Sequence, residues 1–255
     1  MNRPQPSFIR TVSAIMTALV VLALTSSAGA AETAQAFEAA NKLYEQGRYR
    51  EAAAAYGELA QKLPGNVAVR FNLGNACFKS GQIGHAIAAF HHAQQLAPRD
   101  PDIQANLQFA RSQVNGVTLK HTWWQRRLAS VTLNEWTILA AVPLWLLIGL
   151  IALGQFKPAL RPKVRTLVLA AGLATLVGFS LAIAAATVDK SGKTLIVTAR
   201  DTVVRHGPLE ESQSAFTVND GAELEWLDSK DDWRQVSDGQ NRIGWIKADA
   251  VVSLH

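Results

Sequence analysis

The chain has 255 residues, 49% hydrophobic, 18% charged and 7% aromatic, with a formal net charge of +5. Its single cysteine excludes an internal disulfide framework and a cysteine-based zinc ribbon. Residues 114–193 carry 9 basic and 2 acidic side chains, whereas 194–255 carry 6 and 11. The positive excess therefore surrounds an apolar middle, as in a membrane protein and unlike a nucleic-acid binder.

Arg3 and Arg10 precede an uncharged run of 14 residues, Thr11–Leu24, and then Ala28-Gly29-Ala30. A basic start, a short apolar run and a small-x-small site are the parts of a secretory signal. At 1.5 Å per residue the run reaches about 21 Å, short of a bilayer core of roughly 30 Å. Residues 1–30 thus read as a signal peptide, with an uncleaved anchor as the alternative. In both cases residue 31 onward is exported.

Residues 31–114 contain a repeat. A shift of 34 superposes Phe37 on Phe71, Asn41 on Asn75, Tyr44 on Phe78, Gly47 on Gly81, Ala52 on Ala86, Tyr56 on Phe90 and Pro64 on Pro98. Thirty-four is the tetratricopeptide period. Gly47 and Gly81 are placed to end first helices, the alanines to allow close crossing, and the prolines to stop second helices. A further helix, about Asp102 to Val114, is expected to cap the second repeat. The first helices would line the inner face with Phe37, Asn41, Tyr44, Phe71, Asn72, Asn75 and Phe78, with Asn106 nearby. Asparagine amides can hydrogen-bond an extended peptide and aromatics can stack on it. The alternative is that these residues serve the repeat's own packing. Phe37 stands where a carboxylate clamp would place lysine, so capture of a free C-terminus is not expected. Cys77 reads as a small core residue. His85, His91 and His92 lack metal-ligand spacing.

Trp136–Leu153 is uncharged for 18 residues and Leu167–Val188 for 22. These reach about 27 and 33 Å, enough to cross a bilayer. Spans are assigned to 134–154 and 167–188, with Pro143 expected to kink the first. The loop 155–166 holds Lys157, Arg161, Lys163 and Arg165 and no acid, which places it in the cytoplasm. Lys120, Arg126, Arg127, Lys190 and Lys193 would lie outside, but the loop is denser in charge and agrees with the export signal. Residues 115–133, with Trp123 and Trp124, read as an interfacial segment or a plain linker. Ala170, Ala174, Gly178, Ala182 and Ala186 recur every four residues, a small-residue stripe for helix packing within the hairpin or against a partner. Neither uncharged run, 136–153 or 167–188, holds an ionisable residue, so nothing points to conduction or proton relay.

Residues 194–255 show about five short strands with turns at Asn219-Asp220-Gly221 and Ser237-Asp238-Gly239. The segment resembles the bacterial SH3 domain, in Thr198-Ala199-Arg200, Val203-Val204-Arg205, His206-Gly207-Pro208, Phe216, Gly221, Trp233 and Gly244-Trp245-Ile246. That resemblance implies binding of peptides, cell-wall stem peptides or protein partners. Trp226, Trp233 and Trp245 are candidate rim residues, or simply core.

The expected architecture is a multidomain membrane protein: an α-solenoid of two tetratricopeptide repeats plus a capping helix, a transmembrane helical hairpin, and a small all-β SH3-like barrel. This series, with Glu135-Trp136 entering the first span, resembles the BatE-type proteins of the bacterial Bat (aerotolerance) group. The resemblance implies partners that are membrane-anchored von Willebrand factor A proteins, served by a MoxR-type AAA+ ATPase, and a role in envelope stress at the inner membrane with both modules in the periplasm. A second reading is a cell-wall anchor or sensor using the SH3-like domain on peptidoglycan. No Gly-x-Ser-x-Gly, Walker loop or His-Glu-x-x-His occurs, so no catalytic, cofactor or metal residues are assigned.

Overall fold

The computed structural model describes residues 31–114, 124, 127, 128, 131–189 and 194–254. The expected signal peptide and most of segment 115–133 lie outside the described residues.

Five helices form the first module: α1 (31–45), α2 (Tyr49–Lys62), α3 (Val67–Lys79), α4 (Ile83–Leu96) and α5 (Pro101–Ser112). Gly47 and Gly81 follow α1 and α3 with φ of +75° and +79°, the left-handed conformation a Cβ disfavours. Asn66 caps α3 by accepting from the Val69 amide. Asp100 caps α5 by accepting from Asp102 and Ile103, with Pro101 in the first turn. The paired positions of the repeat fill one core: Ala52 and Ala86 are fully buried, and so, within 2%, are Tyr56 and Phe90. Gly74 lets Phe90 lie across α3, since a Cβ there would sit 2.5 Å from the ring.

Two long apolar helices follow, α6 (Leu133–Phe156) and α7 (Arg161–Asp189). Thr132 and Glu135 form a reciprocal capping box at the start of α6, which stays helical through Pro143. By length and composition both helices can cross a membrane, with a mean hydropathy of 2.3 in each. The turn between them is short: the 3-10 helix Pro158–Leu160 leads directly into α7. Half of the expected loop 155–166, residues 161–166, is therefore the start of α7, whose basic residues prolong the helix beyond its apolar length. Thr175 and Ser180 return their hydroxyls to the carbonyls of Ala171 and Leu176, which satisfies them inside an apolar helix.

The C-terminal module is an antiparallel sheet of β1 (Thr194–Val197), β2 (Thr202–Arg205), β3 (Ser214–Val218), β4 (Glu223–Lys230), β5 (Trp233–Ser237), β6 (Ile243–Lys247) and β7 (Val251–Ser253). Among the described residues the strand order is β3-β2-β6-β5-β4-β1-β7. Seven strands replace the five expected. β3 turns Phe216 and Val218 inward with Thr217 exposed between them. β7 is only three residues, too short for an alternation signal, and pairs along β1. Leu195, Val204, Leu224, Val236 and Ile246 fill the sheet's core.

Candidate functional site

The two soluble modules are docked on one another. β1 is buried on both faces, which fits its continuous apolar run. Leu195 pairs with Leu224 toward the sheet's own core, while Ile196 pairs with Glu223 on the opposite face. Ile196 and Leu254 belong to the core of the helical module, and Val252 packs against it. The first turn of α4 has no side-chain cap from its own N-terminal neighbour Gln82. Asp220, in the β3–β4 turn, supplies one: Oδ2 accepts from the Ile83 amide at 2.9 Å and Oδ1 from the Gly84 amide at 2.8 Å. A carboxylate there meets both unpaired donors and the positive end of the helix dipole. The approach requires glycine, because a Cβ on Gly84 would lie 2.1 Å from the Val197 carbonyl oxygen.

Arg111 of α5 donates through Nε to Glu223 Oε1 at 2.6 Å, with Glu223 only 1% exposed. A buried pair adds little net stability, but losing one partner strands the other charge. The pair therefore fixes how the capping helix sits on the sheet. Cys77 lies close to this seam. Burial, followed by the negative charge of Asp220, pushes its thiol up to about 12. It stays protonated at neutral pH and acts as a small core side chain.

The predicted face residues of the repeats are tied into seams between helices. The Tyr56 hydroxyl donates to Asn41 Oδ1 at 2.6 Å. Burial pushes the Tyr56 phenol up, and a hydrogen bond with Asn72 pulls it part of the way back. Asn106 Nδ2 donates to Asn75 Oδ1 at 3.0 Å, joining α5 to α3. Phe37 meets Tyr56 edge-on at 5.9 Å, Phe71 meets Phe90 at 5.8 Å, and Tyr44 meets Tyr49 at 5.2 Å. All of these face residues are half-buried. Phe78 stacks at 5.3 Å on Phe109, which is 57% exposed. The sequence reading missed Phe109, although it sits in the same register as Asn41 and Asn75, 34 positions further on. Carrying the repeat into the capping helix would have found it.

On the sheet, Trp233 is buried with Lys247 Nζ 6.0 Å from its ring centroid. Trp226 packs against the sheet core, carries the Arg234 guanidinium at 5.7 Å and donates to the Asp228 carbonyl. Trp245 is half-buried and lies opposite Gln235 and Arg205. In the hairpin, Gly178 meets α6 directly: a Cβ there would lie 3.1 Å from the Ala140 Cα. Ala182 and Ala186 are half-buried, whereas Ala170 and Ala174 are exposed. Among the described residues the buried positions of α7 are Ala171, Thr175 and Ala185. With Gly178 and Ala182 they space as 4, 3, 4 and 3, the repeat of two gently crossing helices.

A family model for the tetratricopeptide repeat matches residues 43–108. One for the bacterial SH3 domain matches residues 199–252. The chain carries a tetratricopeptide repeat region and a bacterial SH3 domain. No curated protein matches the chain. Both kinds of domain are typically non-catalytic binding modules, suited to protein or cell-wall ligands.

Proposed function

We propose that the chain is a non-enzymatic adaptor of the bacterial inner membrane. Residues 1–30 direct export, the hairpin α6–α7 anchors the chain, and both binding modules face the periplasm. The observation that carries this reading is the docking of Asp220 on the amides of Ile83 and Gly84. Residues 83 and 220 lie on either side of the hairpin in sequence, so a pair of crossings returns the chain to the side it left. The basic turn with Lys157, Arg161, Lys163 and Arg165 then lies in the cytoplasm.

The partner face is that of Phe37, Asn41, Tyr44, Phe71, Asn72, Asn75 and Phe78, extended by Phe109. Tyr56 and Asn106 engage the Oδ1 atoms of Asn41 and Asn75, and an asparagine amide also carries two N–H donors for an extended peptide. The order of parts resembles the Bat-group proteins, and by that resemblance the partners are membrane-anchored von Willebrand factor A proteins, acting with a MoxR-type AAA+ ATPase in envelope stress tolerance. The test is co-purification of such proteins with the tagged full-length chain. Phe109→Ala, which removes an exposed ring, should lower recovery and leave helical content by circular dichroism unchanged. Unchanged recovery would contradict this assignment of the face.

The second reading, peptidoglycan binding through the SH3 domain, is favoured by the half-buried Trp226 with its cationic neighbour Arg234. It requires the full chain to co-sediment with purified peptidoglycan and to lose that property in Trp226→Ala.

A further inference from the structure

At the turn of the hairpin, α6 and α7 part to leave a cleft of about 350 Å³. Its walls are of two kinds. Leu150, Ile151, Val164 and Val168 give it an apolar side, and Arg161 and Arg165 a cationic rim. Arg161 is fixed in place: Nε donates to the Gly154 carbonyl and Nη2 to Gln155 Oε1, both at 2.8 Å. Its charge therefore sits over the carbonyl end of α6, with guanidinium N–H groups left over from those two bonds. Arg165 follows one turn later on the same helix face. Among the described residues it has no ion-pair partner. Lys157 and Lys163 add two further charges, and no acid occurs from 155 to 166.

We propose that this cleft binds the headgroup of an anionic phospholipid. The inference rests on the reading that α6 and α7 cross the membrane with this turn in the cytoplasmic leaflet. A phosphodiester matches the arginine rim, because guanidinium groups pair phosphate oxygens in a planar fork. An acyl chain matches the apolar wall, which continues into the lipid-facing surface of both helices. Free phosphate would leave that wall uncovered, and a zwitterionic headgroup would bring an ammonium against the arginines. Basic pockets between membrane helices on the cytoplasmic side are suited to such headgroups.

The test uses the full-length chain in detergent micelles, with bound lipid counted by native mass spectrometry. Phosphatidylglycerol should be retained more tightly than phosphatidylcholine, and inorganic phosphate should not displace it. Arg165→Gln should weaken phosphatidylglycerol binding by about fivefold, the effect of one interfacial cation. Lys163→Gln removes the same charge outside the cleft and should weaken binding less than Arg165→Gln does. Equal losses in the two variants, equal retention of both lipids, or displacement by phosphate would each overturn the proposal. Alkaline carbonate extraction of cell membranes separates it from the reading beneath it. A chain released by carbonate contradicts the membrane reading itself. A chain that stays in the membrane but ignores lipid charge contradicts the lipid site alone.

Discussion

Asp220 accepts the amide hydrogen of Gly84 at 2.8 Å across 136 positions of sequence. The bond joins the loop of a sheet to the first turn of a helix and makes one body of two binding modules. It also links the chain before the hairpin to the chain after it.

Removing the carboxylate in Asp220→Ala should cost about 1 kcal/mol, the usual loss for a missing helix cap. A urea midpoint for the full-length chain in detergent measures it. Asp220→Asn, which keeps an accepting oxygen, should recover part of the loss. A midpoint unchanged in Asp220→Ala would show that the cap contributes nothing.

Gly84→Ala should be far worse than its size suggests, since the added Cβ meets a backbone carbonyl that cannot move independently of β1. Overpacking of this kind costs about 1–3 kcal/mol or separates the surfaces. Gly57→Ala, in the middle of α2 with nothing within 4 Å, should instead stabilise by up to about 1 kcal/mol. Thermal melts of the two variants should move in opposite directions.

Much of this could be read from the sequence. The 34-residue spacing of Gly47, Ala52, Tyr56 and Pro64 with their partners carries its own physical logic, so the repeat was legible. The docking was not, because Asp220 looks like any aspartate before a turn glycine. One sign was present: the position equivalent to Gly84 in the first repeat is Arg50, which is exposed. A glycine that breaks a repeat marks a close approach by something outside it. The four-residue stripe of α7 meets α6 over only part of its length, for a geometric reason. At 3.6 residues per turn, each step of four drifts by about 40°, so Ala170 and Ala174 rotate off the face that holds Gly178.

Gly178→Leu should disrupt the α6–α7 contact, because Ala140 already lies within touching distance of the missing Cβ. Leu176→Ala removes a side chain that is 66% exposed and should not. Disulfide trapping between cysteines placed at the two helix ends, in a Cys77→Ser background, would read the difference. Equal trapping in both variants would count against close packing at Gly178.

Asp238 is fully buried and pairs with Arg242. Its burial raises the pKa, but hydrogen bonds from the Arg242 side chain and the Gln240 and Arg242 amides outweigh it and hold the carboxyl below its ordinary value. A carboxyl lowered on folding adds stability above its unfolded pKa of about 3.9, and that stability is lost as pH falls through the lower folded value. Between pH 7 and pH 3 the wild-type urea midpoint should therefore fall more steeply than that of Asp238→Asn. Parallel curves would assign the burial of Asp238 no electrostatic role.

In the proposed topology both modules sit on the exported side of a hairpin whose basic turn stays inside. Single cysteines at Lys163 and Ser229, in a Cys77→Ser background, test it on intact spheroplasts with a membrane-impermeant thiol reagent. Position 229 should be labelled, and position 163 should not until the membrane is permeabilised. Labelling at 163 with protection at 229 would contradict it.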